Sequence, residues 1–459
     1  MIEDQKPYPE YKDSEVLSVG DIPSHWKMIR SGYLFREVID TSHPDFELLS
    51  IDRFRGIIRQ SDIGRKERAS KDRSSYKRIR KGQLGYNLMN AFMGSIGISR
   101  YDGIISPAYA VGQPQKEMNP WYYHHLYRTP IYAAEINRYS YGIMYERNRL
   151  YFDYFKRIPV PYPPVDEQNK IVSIIVQKSK EFQKIINIKH CLIDLLNEQK
   201  QKIISRAVTR GIEPTVRLKP SGIEWLGDVP EHWEKLRLGY SAKLIVPMRD
   251  KPPKFGGNIP WIRIEDFDGK YISDSKSEQR VGDKIIDDLN LKVFPAGTVL
   301  CSCSCRMGAT AIVTKPLITN QTFIGIIPGA KLTSEFVYYI LQVYAEQLQI
   351  YATGAIQKYL SREDFHQIHL FVPSIEEQQS INAYLNREVS RVDTIISKIQ
   401  SEISAISEYR THIISDLVTG KVDIRNIVVI DLSENDSSDV FTESHESKNT
   451  ENEFNEENN

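Results

Sequence analysis

A mixed α+β (α/β) chain, with two pseudo-twofold-related globules separated by two long antiparallel coiled-coil helices, is the fold class that this 459-residue sequence predicts. Three observations lead there. Separated segments recur in the same order at an offset of roughly 210 residues, as duplication of a whole structural unit requires. Two stretches of sustained three-and-four spacing of apolar residues, Glu167 to Arg210 and Glu377 to Thr419, have the period of coiled-coil helices. The segments preceding each are short apolar runs broken by Gly and Pro, as in mixed α/β globules.

The repeats are specific. Gly20-Asp-Ile-Pro-Ser-His-Trp26 returns as Gly227-Asp-Val-Pro-Glu-His-Trp233. Pro163-Pro-Val-Asp-Glu-Gln168 returns as Pro373-Ser-Ile-Glu-Glu-Gln378, and Ile203-Ile-Ser-Arg-Ala-Val-Thr209 as Ile413-Ile-Ser-Asp-Leu-Val-Thr419. The boundaries that follow are an N-terminal segment (1–19), a first globule (20–161), a first helix and linker (162–218), a second globule (219–372), a second helix (373–425) and an acidic tail (426–459).

Within the globules, Phe46 to Ile51, Ile259 to Ile264 and Thr310 to Val313 read as strands, while the aromatic stretches Trp121 to Tyr132 and Phe336 to Tyr351 read as helices. The first long helix has an apolar seam at Ile171, Ile175, Phe182, Ile185, Leu192, Leu196, Ile203 and Ala207. The second has Ile381, Leu385, Val392, Ile395, Ile399, Ile403, Ile406, Ile413 and Leu417. Prolines stand just upstream of both, and Gly211 and Gly420 stand where each should stop. Two seams in one chain pair most cheaply with each other, as an antiparallel spacer about 65 Å long.

Composition excludes several classes. Hydrophobic residues make up 41% and charged residues 26%, and no apolar run approaches the roughly 20 residues needed to cross a bilayer. The polar N-terminus lacks the order of a secretory signal, so a cytoplasmic, membrane-free protein is expected. Cysteines are too few for a disulfide framework, and the alternation of Cys301, Cys303 and Cys305 suits one buried strand face rather than a metal site. No metal is expected. The formal charge of zero conceals an excess of nine positive charges over residues 1–430, because residues 431–459 hold ten acidic residues and one lysine. That tail should be disordered.

Between Arg53 and Lys81 stand twelve Lys or Arg against three acidic residues. A charge run is commonly a solvated face, but this density in one globule points to a phosphate backbone. The candidates here are Arg65, Lys66, Arg68, Lys77, Arg78, Arg80 and Lys81. The second globule offers Arg249, Lys251 and Lys254 beside Phe255-Gly-Gly257, then Arg306 after the cysteine strand and Lys358 after a helix. Asn258 and Gln357 carry the donor–acceptor pair that suits base edges. Because the loops differ while the helices and junctions repeat, two different half-sites held at a set separation are expected, about 34 Å apart on one face of a duplex.

These motifs carry a resemblance. Lys219-Pro-Ser-Gly-Ile-Glu-Trp-Leu-Gly-Asp-Val-Pro-Glu-His-Trp233, the Pro-x-x-x-Glu-Gln entry to each helix and the Val418-Thr-Gly420 helix ending resemble the specificity subunit of type I restriction-modification systems, over Gly20 to about Ile424. The resemblance implies two target-recognition domains, each reading half of an interrupted double-stranded DNA target. It implies no catalytic residue in this chain, with two methyltransferase (modification) subunits docked on the helices and motor-nuclease (restriction) subunits joining for cleavage. It also implies that no cofactor binds this chain, S-adenosylmethionine, ATP and Mg²⁺ belonging to the partners. Gly354 to Gln357 matches the family's Gly-x-x-Gln element, whereas the first copy has Tyr141-Gly-Ile-Met-Tyr-Glu146 instead.

Two other classes compete. A stand-alone adenine-N6 DNA methyltransferase is suggested by Asn119-Pro-Trp-Tyr122, since such enzymes hold a flipped adenine with an Asn-Pro-Pro-Tyr-like tetrapeptide. The second proline is replaced by Trp121, and no glycine-rich nucleotide turn precedes it, so a helix start is the plainer reading. A coiled-coil scaffold without DNA binding is the other. No Walker lysine motif occurs, and His25 and His232, each beside a tryptophan, read as structural turns with an aromatic anchor.

Overall fold

The computed structural model describes residues 6–53, 55–63, 72–142, 148–247, 251–303, 306–351 and 360–428. The chain divides into two compact units, one from residues 1–189 and 401–459 and the other from 190–400. Each unit therefore owns a portion of both long helices, Val165–Arg210 and Ile375–Val418.

In the first unit a four-stranded antiparallel sheet runs in the order Phe35–Glu37, Tyr109–Pro114, Leu84–Asn87, Ile96–Ile98. Its main core contains Trp26, Phe35, Tyr86, Tyr122, Tyr123, Tyr127 and Phe155, all fully buried. Ile171, Ile174 and Ile175 of the first long helix and Ile413, Leu417 and Val418 of the second join the same cluster. A smaller core of Leu49, Ile51, Ile57, Ile79, Ile105 and Val111 lies under the hairpin Leu49–Asp52/Gly56–Arg59 and the strand pair Lys77–Ile79/Gly103–Ile105.

The expected aromatic helix is two helices, Pro120–Tyr127 and Pro130–Arg138. Both obey the same local rule. Asn119 and Thr129 cap them, each side-chain oxygen accepting a backbone N–H, and proline fills the first helical position, where its missing donor costs nothing. Pro130 cannot continue the preceding helix, which is why the stretch breaks there.

In the second unit a five-stranded sheet is ordered Ala242–Ile245, Phe323–Pro328, Val299–Ser302, Thr310–Val313, Tyr271–Ile272, the last pair parallel. A three-stranded sheet, Arg280–Val281, Ile259–Ile262, Ile318–Thr319, also mixes directions. The helix Ser334–Tyr351 covers the larger sheet through Phe336, Val337 and Leu341. Cys301 and Cys303 are buried in that core, and desolvation pushes the Cys303 thiol up to about 12. They are packing residues; Cys305 lies outside the described residues.

The long helices pair antiparallel within each unit. In the first, the Phe182 ring meets Tyr409 edge-on at 5.9 Å, and Lys189 reaches Glu402 at 2.5 Å. In the second, Lys200 reaches Asp393 at 2.7 Å, and Ile204, Ala207 and Val208 share a core with Ile381 and Leu385. Gly211 and Gly420 end the helices with φ of +75°, the left-handed conformation glycine adopts without penalty.

The seam expected from the sequence is corrected in its middle. Ile185, Leu192 and Ile395 are exposed, at 43%, 44% and 39%, while Ile186 is buried at 4%. In each case an apolar neighbour follows immediately, in Ile185-Ile186, Leu192-Ile193 and Ile395-Ile396. Periodicity alone cannot choose between adjacent apolar residues, and in each pair the second is the less exposed, Ile186 buried and Ile193 and Ile396 half-buried. No helix among the described residues is long and apolar enough to cross a membrane.

Candidate nucleic-acid interface

What holds each globule to its helix explains the repeated motifs. Glu167, in the first turn of the first long helix, accepts hydrogen bonds from the Trp26 indole at 2.8 Å and the Tyr8 hydroxyl at 3.2 Å, and its other oxygen lies 2.7 Å from His25 Nε2. Glu377, its counterpart, accepts from the Trp233 indole at 3.1 Å and lies 2.8 Å from His232 Nε2. Both tryptophans are buried, so an unpaired indole N–H there would carry a desolvation cost.

The next residue in each copy, Gln168 or Gln378, is wholly buried and bridges helix to globule. Gln168 accepts from the Asn119 N–H at 2.9 Å and donates to the Pro163 carbonyl. Gln378 accepts from the Thr333 N–H at 2.9 Å and donates to the carbonyls of Lys331 and Pro373. His25 and His232 thus belong to structural joints, as their sequence context suggests. The carboxylate and amide that complete the joints lie some 140 residues away in sequence and could be matched to them only as a second recurring motif.

The same joint accounts for Asn119-Pro-Trp-Tyr122. Asn119 caps a helix and also donates to Asn169 Oδ1, while Tyr122 is fully buried with its hydroxyl donating to the Val418 carbonyl at 2.6 Å. A stacking platform for a flipped base needs an accessible ring, and Tyr122 has none.

The basic residues of the first unit divide by their partners. Lys77 is in the strand Lys77–Ile79 and its ammonium donates to the Tyr109 carbonyl at 2.6 Å. Burial lowers its pKa, against the opposite pull of Glu37. The Arg78 guanidinium lies 4.3 Å over the Phe46 ring, with its Nε buried and unpartnered. These two are committed largely to their own globule. Arg80 and Lys81 are exposed; the Arg80 guanidinium lies 3.4 Å from Asp40. Arg65, Lys66 and Arg68 lie outside the described residues.

In the second unit Lys251, Lys254 and Asn258 are exposed on the segment leading into the strand Ile259–Ile262, with Lys251 Nζ 6.0 Å from the Phe255 ring centroid. Arg306 is exposed after the strand Val299–Ser302, at φ +48°, and lines a shallow cleft of ≈ 410 Å³ with Phe267, Met307, Gln342 and Gln201. The two groups rise from different sheets of the same unit. Arg249, Gln357 and Lys358, and with them Gly354 to Gln357, lie outside the described residues. Among the described residues no group of three or more His, Cys, Asp or Glu is placed to hold a metal ion.

Residues 230–405 match the family model described as the type I restriction modification DNA specificity domain. The Type I restriction enzyme MjaIX specificity subunit of Methanocaldococcus jannaschii is 31% identical over 167 residues, covering 35% of this chain and 39% of that protein. The putative type I restriction enzyme MjaX specificity subunit of the same organism is 24% identical over 276 residues, covering 59% of this chain and 60% of that protein. The chain thus spans less than two thirds of the curated relatives it matches. A chain from a solved structure concerned with complex assembly and conformational transition of the type I R-M system superposes at a TM-score of 0.64. It is 16% identical and covers 87% of this chain and 99% of its own, which establishes a shared fold.

Proposed function

We propose, from the match of residues 230–405 to the type I restriction modification DNA specificity domain, that the chain is a non-catalytic specificity subunit that reads a bipartite double-stranded DNA target. Each globule reads one half-site, through loops that differ between the copies. The helices set the gap and dock two modification subunits, with restriction subunits joining for cleavage. S-adenosylmethionine, ATP and Mg²⁺ belong to those partners.

The observation that carries this reading is the joint made twice. Trp26 and His25 on Glu167, and Trp233 and His232 on Glu377, fasten a globule to each long helix by the same chemistry, while the basic loops of the two globules differ. A protein that repeats its joints and varies its loops presents two different surfaces on one support, which is what two unlike half-sites require.

In this reading the exposed cations Arg80, Lys81, Lys251, Lys254 and Arg306 hold phosphates and Asn258 faces base edges, together with Arg65, Lys66, Arg68, Arg249, Gln357 and Lys358. Lys77 and Arg78 support the strand that presents Arg80. The decisive experiment mixes the purified chain with its modification subunit and footprints genomic fragments. Protection of two short tracts separated by an unprotected gap is expected. Methyl transfer by this chain alone, or protection of one continuous tract, would refute the proposal.

A further inference from the structure

A second repeated surface element is separate in sequence from the basic loops. The strand Lys27–Arg30 pairs antiparallel with Pro159–Tyr162, setting Arg30 opposite Pro159. Its counterpart Glu234–Arg237 pairs with His369–Val372, setting Arg237 opposite His369. Directly after these strands the chain reads Arg30-Ser-Gly-Tyr33 in one copy and Arg237-Leu-Gly-Tyr240 in the other.

Packing explains part of that identity. The Ser31 N–H donates to the Ile158 carbonyl at 2.9 Å, and the Leu238 N–H donates to the Ile368 carbonyl at 2.8 Å. Both glycines mark close approaches: a Cβ on Gly32 would meet Lys156 Cβ at 3.0 Å, and one on Gly239 would overlap the His366 ring. Packing does not explain the tyrosines, because Tyr33 is 64% exposed and Tyr240 is 77% exposed. Surface substitutions seldom change stability by more than about 0.5 kcal/mol, so the fold alone gives no reason for two diverged globules to keep a tyrosine there.

The surroundings give a chemical reason. Tyr33 lines an open cleft of ≈ 610 Å³ with Arg30, Tyr151, Tyr154, Lys156 and Arg157. Among the described residues the lone acid on its rim, Asp153, is paired with Lys156 at 2.7 Å, and no described aliphatic side chain lines the cleft. Arg157 lies 5.3 Å from the Tyr154 ring centroid. In the second unit the Tyr240 ring meets His366 edge-on at 5.1 Å, and Arg237 Nε donates to His369 Nε2 at 3.2 Å. Hydroxyl, guanidinium and ammonium donors around an open cleft fit phosphate oxygens; tyrosine and arginine also suit protein interfaces, and the binding experiment separates the two.

We infer that the Arg30–Tyr33 surface and its copy at Arg237–Tyr240 grip the phosphodiester backbone of duplex DNA, one at each half-site. The inference rests on the reading of the chain as a DNA specificity subunit, and adds a contact that supplies affinity without sequence choice. Half-sites of different sequence share their backbone and not their bases, so the element common to both globules contacts the common part.

The test measures binding of the full chain, alone and with its modification subunit, to a random-sequence duplex by fluorescence anisotropy between about 50 and 200 mM salt. Replacing Arg30 and Lys156 together by alanine is expected to lower the slope of log K against log salt by about 2, one for each phosphate-binding cation lost. The pair Tyr33→Ala and Tyr240→Ala is expected to weaken binding of every sequence several-fold with the slope unchanged. Tyr33→Phe, which keeps the ring and loses the donor, reports the hydroxyl contact where the alanine variant melts early. If these variants bind like wild type while Arg80→Ala/Lys81→Ala still lowers the slope, the inference falls and the DNA-reading function stands. Loss of modification-subunit binding with unchanged DNA affinity would make this a protein-facing surface and overturn the inference too. If wild type holds no duplex in either form, both fail.

Discussion

Glu167→Ala should destabilise the first unit by about 3 kcal/mol, an amount that follows from what the carboxylate receives. It lies at the focus of three donors: the Trp26 indole at 2.8 Å, His25 Nε2 at 2.7 Å and the Tyr8 hydroxyl at 3.2 Å. The Trp26 side chain is wholly buried and Tyr8 is 3% exposed, so neither regains full hydration once the acceptor is gone. Each stranded buried donor costs about 1–3 kcal/mol, and the half-exposed His25 adds little, which gives a total near 3. For a unit of this size the midpoint of thermal unfolding should fall by about 6–12 °C. Glu377→Ala strands only the Trp233 indole among buried groups and should cost about 2 kcal/mol. Urea unfolding followed by circular dichroism measures both. A loss below about 0.5 kcal/mol for Glu167→Ala would place it among ordinary surface substitutions and refute the joint as the fastening of globule to helix.

Ile186→Ala should cost about 2–4 kcal/mol while Ile185→Ala stays within about 0.5 kcal/mol, and equal effects in chemical denaturation would return the seam to the other isoleucine. Deleting seven residues from the first long helix should change the permitted gap between protected tracts or abolish recognition; an unchanged gap in footprinting would count against a fixed spacer. Arg80→Ala/Lys81→Ala should lower the salt slope of DNA binding by about 2, whereas Lys77→Ala should chiefly lower the melting temperature, because its ammonium is held by the Tyr109 carbonyl. The Cys303 thiol ionises only near pH 12 when folded, against an ordinary value of 9.0, so its contribution to stability is complete below about pH 9 and is lost as pH rises toward 12. At pH 8, mass spectrometry should therefore find the exposed Cys191 alkylated and the buried Cys301 and Cys303 protected until the protein unfolds.

Much of the architecture was legible in the residues themselves. Duplication appears as ordered identity, helix as three-and-four spacing, and both helix stops as glycines that adopt a φ of +75°. These features are local, or local twice, and need no knowledge of what touches what. The basic loops were legible only as charge. Counting cations cannot tell Lys77, held by a backbone carbonyl, from exposed Arg80 three residues later. Likewise Asn119-Pro-Trp-Tyr122 has the composition of a catalytic tetrapeptide, yet Tyr122 is sealed against the end of the second long helix.

By itself, then, the sequence determined that the chain repeats itself, that it has two long helices, and that positive charge gathers in loops that differ between the repeats. Only the tertiary structure decided which of two adjacent isoleucines is buried, which cations remain available to a ligand, and why Trp26 and Glu167 recur together as Trp233 and Glu377. Period and composition are properties of neighbours along the chain. A hydrogen bond between residues more than 140 positions apart, or the desolvation of a lysine by a strand it pairs beside, exists only once the chain has folded back on itself.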